Sequence, residues 1–251
     1  MRTYGLIGYP LEHSFSRRFF TAKFLKEQKE EQYLNFELSD LGRLPEVLAQ
    51  NPGLAGLNVT IPYKEKVIPL LARVDAEAHA IGAVNTIRII RQGKLVLLEG
   101  FNTDVHGFSR SLVPLLSSFH TGALVLGSGG ASKAVRFALD KLGISWLVVS
   151  RNSSDSKTLN YWELTREVME RYPIVVNTTP LGTFPHTETF PPVPYEMLTP
   201  RHLLFDLVYN PEETKFLAKG REKGAVVKNG YEMLVLQAER SYQIWNENVI
   251  R

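Results

Sequence analysis

The stretch G-A-L-V-L-G-S-G-G-A-S-K-A, residues 122–134, decides how this chain folds. Ala123 to Leu126 form a short apolar run of the kind that makes a buried strand. Gly127-Ser128-Gly129-Gly130 follow, and Ala131 to Leu142 then carry helical periodicity. One glycine permits a tight strand-to-helix turn, a second lets the backbone approach a bound group, and the helix N-terminus offers unpaired N–H groups to negative charge. Ser132 takes the place of the third glycine of the usual pattern and is small enough to pack against the strand. Any tight turn can use glycine, so G-x-G-x-x-small is weak alone. Its position inside a βαβ unit points to a dinucleotide held on Gly127, Ser128, Gly129, Gly130 and Ala131.

The next strand, Trp146 to Ser150, ends in Ser150-Arg151-Asn152. A site for NAD usually closes this strand with an acid that binds the ribose hydroxyl. A guanidinium suits a 2′-phosphate instead, because its planar fork of donors matches the phosphate oxygens. NADP is therefore the expected cofactor, with Ser150 and Arg151 at its adenosine end. The bland reading of Arg151 is a solvated surface charge, and Asp155 is an alternative ribose ligand. Further strands are expected at Ile174 to Asn177, Leu203 to Leu207 and Ala225 to Val227, with a helix from Glu212 to Lys223. Pro180 to Pro200 reads as a loop too polar and broken to join the core.

Upstream, strands and helices also alternate. Strands are expected at Tyr4–Gly8, around Leu34–Leu38 and at Leu54–Thr60. A hairpin should join Val84–Ile90 to Lys94–Leu98 across Arg91-Gln92-Gly93. Helices are expected around Phe15–Phe24 and Leu44–Ala49, at Lys64–Leu71, Ala76–Ile81 and Val105–Leu116, and at the end over Tyr231–Val249. The expected fold class is α/β, an N-terminal α/β domain plus a Rossmann-like dinucleotide domain, separated by a cleft.

Composition narrows the function. The 251 residues are 44% hydrophobic and 22% charged, with a net charge of +3 scattered along the chain, so a dense basic stripe for nucleic acid is missing. There are no cysteines, which excludes disulfides and thiolate metal sites and fits a reducing cytoplasm. No apolar stretch reaches the roughly 20 residues that span a bilayer, and the start of the chain does not read as a signal peptide. Six histidines lack zinc-ligand spacing, so no metal is expected, and a serine-hydrolase G-x-S-x-G elbow is absent.

Three polar clusters sit at the ends of expected strands. His13-Ser14-Phe15-Ser16 precedes a helix, where two hydroxyls beside free N–H groups could hold a carboxylate or simply cap the helix. In Asn58-Val59-Thr60-Ile61-Pro62-Tyr63-Lys64, Asn58 and Thr60 share one face of an extended strand that Pro62 stops. Lys64 then begins the expected helix, where the dipole disfavours a cation. That is odd for a structural residue and less odd for a proton-transfer group, although one lysine is usually a solvated charge. The third cluster, Gly100-Phe101-Asn102-Thr103-Asp104, has Asn85 upstream; Asp104 either caps the next helix or faces Lys64 as an acid–base partner.

Taken together, these motifs resemble the shikimate dehydrogenase family. The resemblance runs in order through H-S-F-S at 13–16, N-V-T-I-P-Y-K at 58–64, G-A-V-N-T at 82–86, G-F-N-T-D at 100–104, G-S-G-G-A-S-K-A at 127–134, N-T-T-P-L-G at 177–182 and N-G-Y-E-M-L-V-L-Q-A at 229–238. It implies reversible, NADPH-dependent reduction of 3-dehydroshikimate to shikimate by a cytoplasmic enzyme of aromatic amino-acid biosynthesis, a monomer or homodimer with neither nucleic-acid nor membrane partner. It implies that Ser14, Ser16 and Tyr209 hold the substrate carboxylate, and that Thr60, Asn85, Asp104 and Gln237 bind ring hydroxyls. Lys64 would transfer the proton with Asp104 beside it, and Thr178 and Gly230 would join the cofactor site. It also places residues 1–101 with 231–251 in a substrate domain and 102–230 in the NADP domain. The chain departs from the family at Ser150-Arg151-Asn152, where N-R-T is usual, and in a shorter stretch from Arg151 to Ile174. Two rivals share these motifs: a quinate or dual quinate/shikimate dehydrogenase using NAD, and a silent dinucleotide-sensing regulator, which would need neither Lys64 nor Asp104.

Overall fold

A computed structural model describes residues 1–11, 15–93, 95–151 and 156–247. The chain divides into two compact units: Met1–Thr103 with Ala238–Arg251, and Asp104–Gln237.

The first unit contains β1 (Arg2–Gly8), α1 (Phe15–Lys26), β2 (Glu31–Glu37), α2 (Leu44–Gln50), β3 (Leu54–Val59), β4 (Arg73–Val74), α3 (Ala76–Ile81), β5 (Thr86–Gln92) and β6 (Leu95–Phe101). Its six-stranded sheet runs β2-β1-β3-β5-β6-β4. β1 lies parallel to β2 and β3, while β5 is antiparallel to β3 and β6. β1 is buried from Thr3 to Gly8, as expected of a central strand covered on both faces. Ile7, Leu57, Val67 and Ile87 anchor one core cluster, and Tyr4, Phe20, Tyr33 and Trp245 another. The Trp245 ring stacks on Tyr4 at 4.8 Å and its Nε1 donates to Ile87 O at 3.0 Å. Gly56 makes this approach feasible, since a Cβ there would lie 2.3 Å from the Trp245 ring.

The second unit holds α4 (Asp104–Leu112), β7 (Gly122–Leu126), α5 (Gly130–Lys141), β8 (Ser145–Val149), β9 (Thr158–Leu159), α6 (Arg166–Arg171), β10 (Ile174–Asn177), β11 (Leu203–Asp206), α7 (Lys215–Glu222) and β12 (Val226–Lys228). The last helix, α8 (Tyr231–Asn246), passes from this unit into the first after Gln237. The sheet order is β12-β11-β10-β7-β8-β9, with every pairing parallel. Counted from β7, this is the doubly wound order 3-2-1-4-5-6, whose growth reverses between β7 and β10. Leu124, Leu126, Val149, Val175, Leu204 and Phe216 fill its core.

Three elements differ from the sequence reading. The expected helix over 64–71 is a run of turns ending in one 3-10 turn, Ile68–Leu70. Lys64 O accepts from Val84 N at 2.7 Å instead of from its own segment, and Pro69 has no N–H to give. The dipole argument for Lys64 therefore falls, although the residue keeps its place in the cluster described below. Arg91 and Gln92 are not turn residues but the end of β5, where Gln92 pairs with Leu95. The 180–200 segment is irregular but not outside the core: Val193 and Leu198 are buried, and Phe190 and Tyr195 pack on the second core. Eight residues, 150–157, separate β8 from β9, fewer than the dozen a helical crossover needs. The Trp146 ring lies beneath Arg136 and Lys157, at 5.1 and 4.8 Å, and its Nε1 donates to Asp140 at 2.8 Å.

Candidate active site

In the first unit the polar clusters converge where β3 and β5 meet. Val59 N donates to Asn85 O at 2.8 Å, and the Val84–Lys64 bond seats the Lys64 backbone beside Asn85. Asn102 Nδ2 donates to Ala83 O at 2.9 Å, and Thr103 N donates to Asn85 Oδ1 at 2.8 Å. Asn58, Lys64, Asn85, Asn102 and Thr103, drawn from three separate motifs, are thus joined through backbone and side-chain bonds. Asn58, Asn85 and Thr103 are buried and Lys64 is half-buried. Thr60, half-buried just after β3, donates its amide to Ile7 O at 3.0 Å, and its methyl stands against Gly8. Ser16, in the first turn of α1, is half-buried and hydrogen-bonds the Tyr33 hydroxyl. His13 and Ser14 lie outside the described residues.

In the second unit the glycine turn closes the switch point. Gly127 has φ +102°, a left-handed value that favours glycine, and a Cβ there would lie 3.0 Å from Thr178 Oγ1. Thr178 holds the other side, donating both N (3.0 Å) and Oγ1 (2.7 Å) to Leu126 O. Ser128 and Gly129 are exposed, and a Cβ at Gly129 would meet only open space. Gly129 caps the twelve-residue α5 with no side-chain bond to its first amides. A helix start with no side-chain cap leaves its first backbone N–H groups able to meet an anion. Gly130 and Ala131 form the first turn of that helix, and Ser132 is fully buried against the sheet.

At the end of β8, Ser150 is half-buried and Arg151 exposed, with the Arg151 charge felt at Tyr161. Asp155 lies outside the described residues. Asp104 is the first residue of α4, not its cap, and is buried; Gln237 is buried on α8, and Tyr209 is half-buried between β11 and α7. Gly230 is a packing necessity, since a Cβ there would sit 2.2 Å from Leu207 O. Among the described residues, no group of three His, Asp or Glu side chains could hold a metal, and no helix is long and apolar enough to cross a membrane.

Residues 6–87 match the model of the shikimate dehydrogenase substrate binding domain. The protein named shikimate dehydrogenase (NADP(+)) from Carboxydothermus hydrogenoformans is 37% identical, over 96% of this chain and 90% of its own. The chain belongs to the shikimate dehydrogenase family. A crystal structure of the Thermus thermophilus shikimate dehydrogenase, in complex with NADP(H) and shikimate, matches 98% of this chain and 94% of that one, with 31% identity and a TM-score of 0.85. The family's fold also serves a related enzyme. A quinate dehydrogenase from Corynebacterium glutamicum, in complex with NAD, matches 98% of this chain and 93% of its own at 28% identity and a TM-score of 0.85. The α/β fold with an N-terminal substrate domain and a Rossmann-like domain is that of the shikimate dehydrogenases.

Two sets of polar residues were missed by reading the sequence. Tyr33, Thr86 and Ser241 bond the amides of Asn58 or Asn85, and Asp206 with Asn177 and Thr214 forms a second buried node. Asp206 carried a usable signal, an acid closing the apolar run Leu203-Leu204-Phe205.

Proposed function

We propose that this protein catalyses the NADP-dependent, reversible reduction of 3-dehydroshikimate to shikimate in aromatic amino-acid biosynthesis. The observation that carries the reading is the seating of Lys64 beside Asn85 by the Val84–Lys64 backbone bond. It gathers the family's motifs into one polar cluster, in a chain whose other unit holds a phosphate-binding turn.

When bound, NADPH supplies the hydride that adds to the carbonyl carbon. Negative charge then builds on the carbonyl oxygen, and Lys64 donates the proton that neutralises it; in the reverse direction Lys64 takes that proton from the hydroxyl. Asp104 assists it. Ser14, Ser16 and Tyr209 hold the substrate carboxylate, while Thr60, Asn85, Asp104 and Gln237 bind ring hydroxyls. Gly127 to Ala131 and the start of α5 hold the pyrophosphate, with Ser150, Thr178 and Gly230 around the dinucleotide. The exposed Arg151 guanidinium binds the 2′-phosphate. The enzyme so described works in the cytoplasm on a free small molecule, as a monomer or homodimer.

Substitution of Lys64 tests the mechanism. Lys64→Ala is expected to lower kcat by about a hundredfold or more while shikimate KM changes little, the signature of a group acting in the transition state. A change confined to KM would make Lys64 a binding residue. Arg151→Ala should weaken NADP⁺ by about tenfold or more and leave NAD⁺ unchanged. Equal losses for both cofactors would remove the 2′-phosphate assignment.

A further inference from the structure

We infer that Ser241 and Thr86 are positioning residues, whose hydroxyls hold the carboxamide of Asn85 in the one orientation in which it meets the substrate. This rests on the functional reading above, in which Asn85 binds a ring hydroxyl.

The orientation of each amide is forced by partners that have only one role. Thr103 N can only donate, so the Asn85 atom 2.8 Å from it is Oδ1. That oxygen also accepts from Thr86 Oγ1 at 3.0 Å, and Asn85 Nδ2 donates to Thr103 Oγ1 at 3.0 Å, so the carboxamide is held at both its ends. Asn85 O can only accept, so the Asn58 atom facing it is Nδ2, at 3.4 Å. Asn58 Oδ1 must then accept from the Tyr33 hydroxyl, at 2.8 Å. With its one proton committed, Tyr33 can only receive the bond from Ser16.

Ser241 Oγ joins the two halves. It accepts from Asn58 Nδ2 at 3.0 Å and lies 2.8 Å from Thr86 Oγ1 and 3.1 Å from Thr103 Oγ1. Either hydroxyl can donate across the Thr86–Ser241 bond, and Thr86 Oγ1 in turn reaches Asn85 Oδ1. The bonds therefore form one continuous chain, from Ser16 through Tyr33, Asn58, Ser241 and Thr86 to Asn85. The three hydroxyl-bearing residues at its centre are sealed from water: Thr86 and Ser241 are fully buried, and Tyr33 is 3% exposed. Both ends of the relay, Ser16 and Asn85, are residues assigned to the substrate. Removing the Ser241 hydroxyl leaves Asn58 Nδ2 without that acceptor and Thr86 without that partner, which loosens the hold on the Thr86 hydroxyl.

A double-mutant cycle tests this. Ser241→Ala and Thr86→Val are each combined with Asn85→Ala, and initial rates are measured with whichever of shikimate or quinate the wild-type enzyme oxidises. Either single substitution is expected to raise substrate KM about tenfold, leave NADP⁺ KM within about twofold, and add less than about twofold once Asn85 is already alanine. Unchanged substrate KM in both variants would overturn the inference. So would an increase that persists in full without Asn85, or one matched by NADP⁺. If Ser241→Ala does not fold, the near-isosteric Thr86→Val cycle decides alone. A wild-type enzyme idle on both substrates would overturn the functional reading itself, a result separate from any failure of the relay.

Discussion

The two units bury polar groups at the ends of their strands with different chemistry. In the first, every member of the relay from Ser16 to Asn85 is neutral, and its two amides are oriented by which atoms can donate and which can accept. In the second, the centre is a carboxylate. Asp206 accepts from Asn177 Nδ2 at 2.9 Å, Val208 N at 3.0 Å and Thr214 Oγ1 at 2.6 Å. It ties the loop bearing Thr178 to the segment bearing Tyr209 and to the start of α7, where Thr214 also accepts from Leu217 N. Burial pushes Asp206 up to about 6, against the pull of those three donors. A neutral relay is sensitive to geometry alone; a buried carboxylate is sensitive to geometry and to pH.

The largest expected effect comes from deleting the charged node. Asp206→Ala removes one acceptor from each of three donors inside a sealed site, and should cost about 3–5 kcal/mol in urea unfolding. Asp206→Asn keeps one oxygen and can donate to Thr214, so it should cost less than half as much. Equal losses would mean that packing, not the acceptor set, holds this corner.

The pH dependence follows next. With a native pKa of about 6 against 3.8 for an ordinary aspartate, folded Asp206 holds its proton after the unfolded chain has lost it. Stability is unaffected below pH ~4, where both states are protonated. It then falls by about 3 kcal/mol as pH rises to ~6, and the deficit stays constant above. Subtracting the Asp206→Asn curve from wild type isolates this term from the other carboxylates. A flat difference would show that the site ionises as freely as in water.

The smallest effects belong to the neutral relay. Tyr33→Phe and Thr86→Val should each cost about 1 kcal/mol, the same at pH 5 and pH 8. A loss that changed with pH would couple the relay to a charge and erase the contrast between the units.

Much of this was legible locally. The strand, glycine turn and helix around Gly127 follow from a hydrophobic run and backbone freedom in thirteen consecutive residues, and the structure keeps them as β7 and α5. Lys64 shows where local pattern fails. Tyr63 and Val67 are spaced as on a helix and both are buried, yet a bond from Val84, twenty residues away, took the Lys64 carbonyl that the helix needed. The relay was out of reach for a related reason. Asn58 and Ser241 are 183 positions apart, and no periodicity links a strand asparagine to a serine on the last helix. What sequence motifs did supply was the set of residues at the relay's ends; what they lacked was the reason those residues point as they do.

The central claim is most directly tested by initial rates of the wild-type protein with shikimate and with quinate, each with NADP⁺ and with NAD⁺. The account predicts that kcat/KM is highest for shikimate with NADP⁺. Faster turnover of quinate with NAD⁺ would contradict the substrate and cofactor assignments, and turnover of none of the four pairs would contradict the enzyme itself.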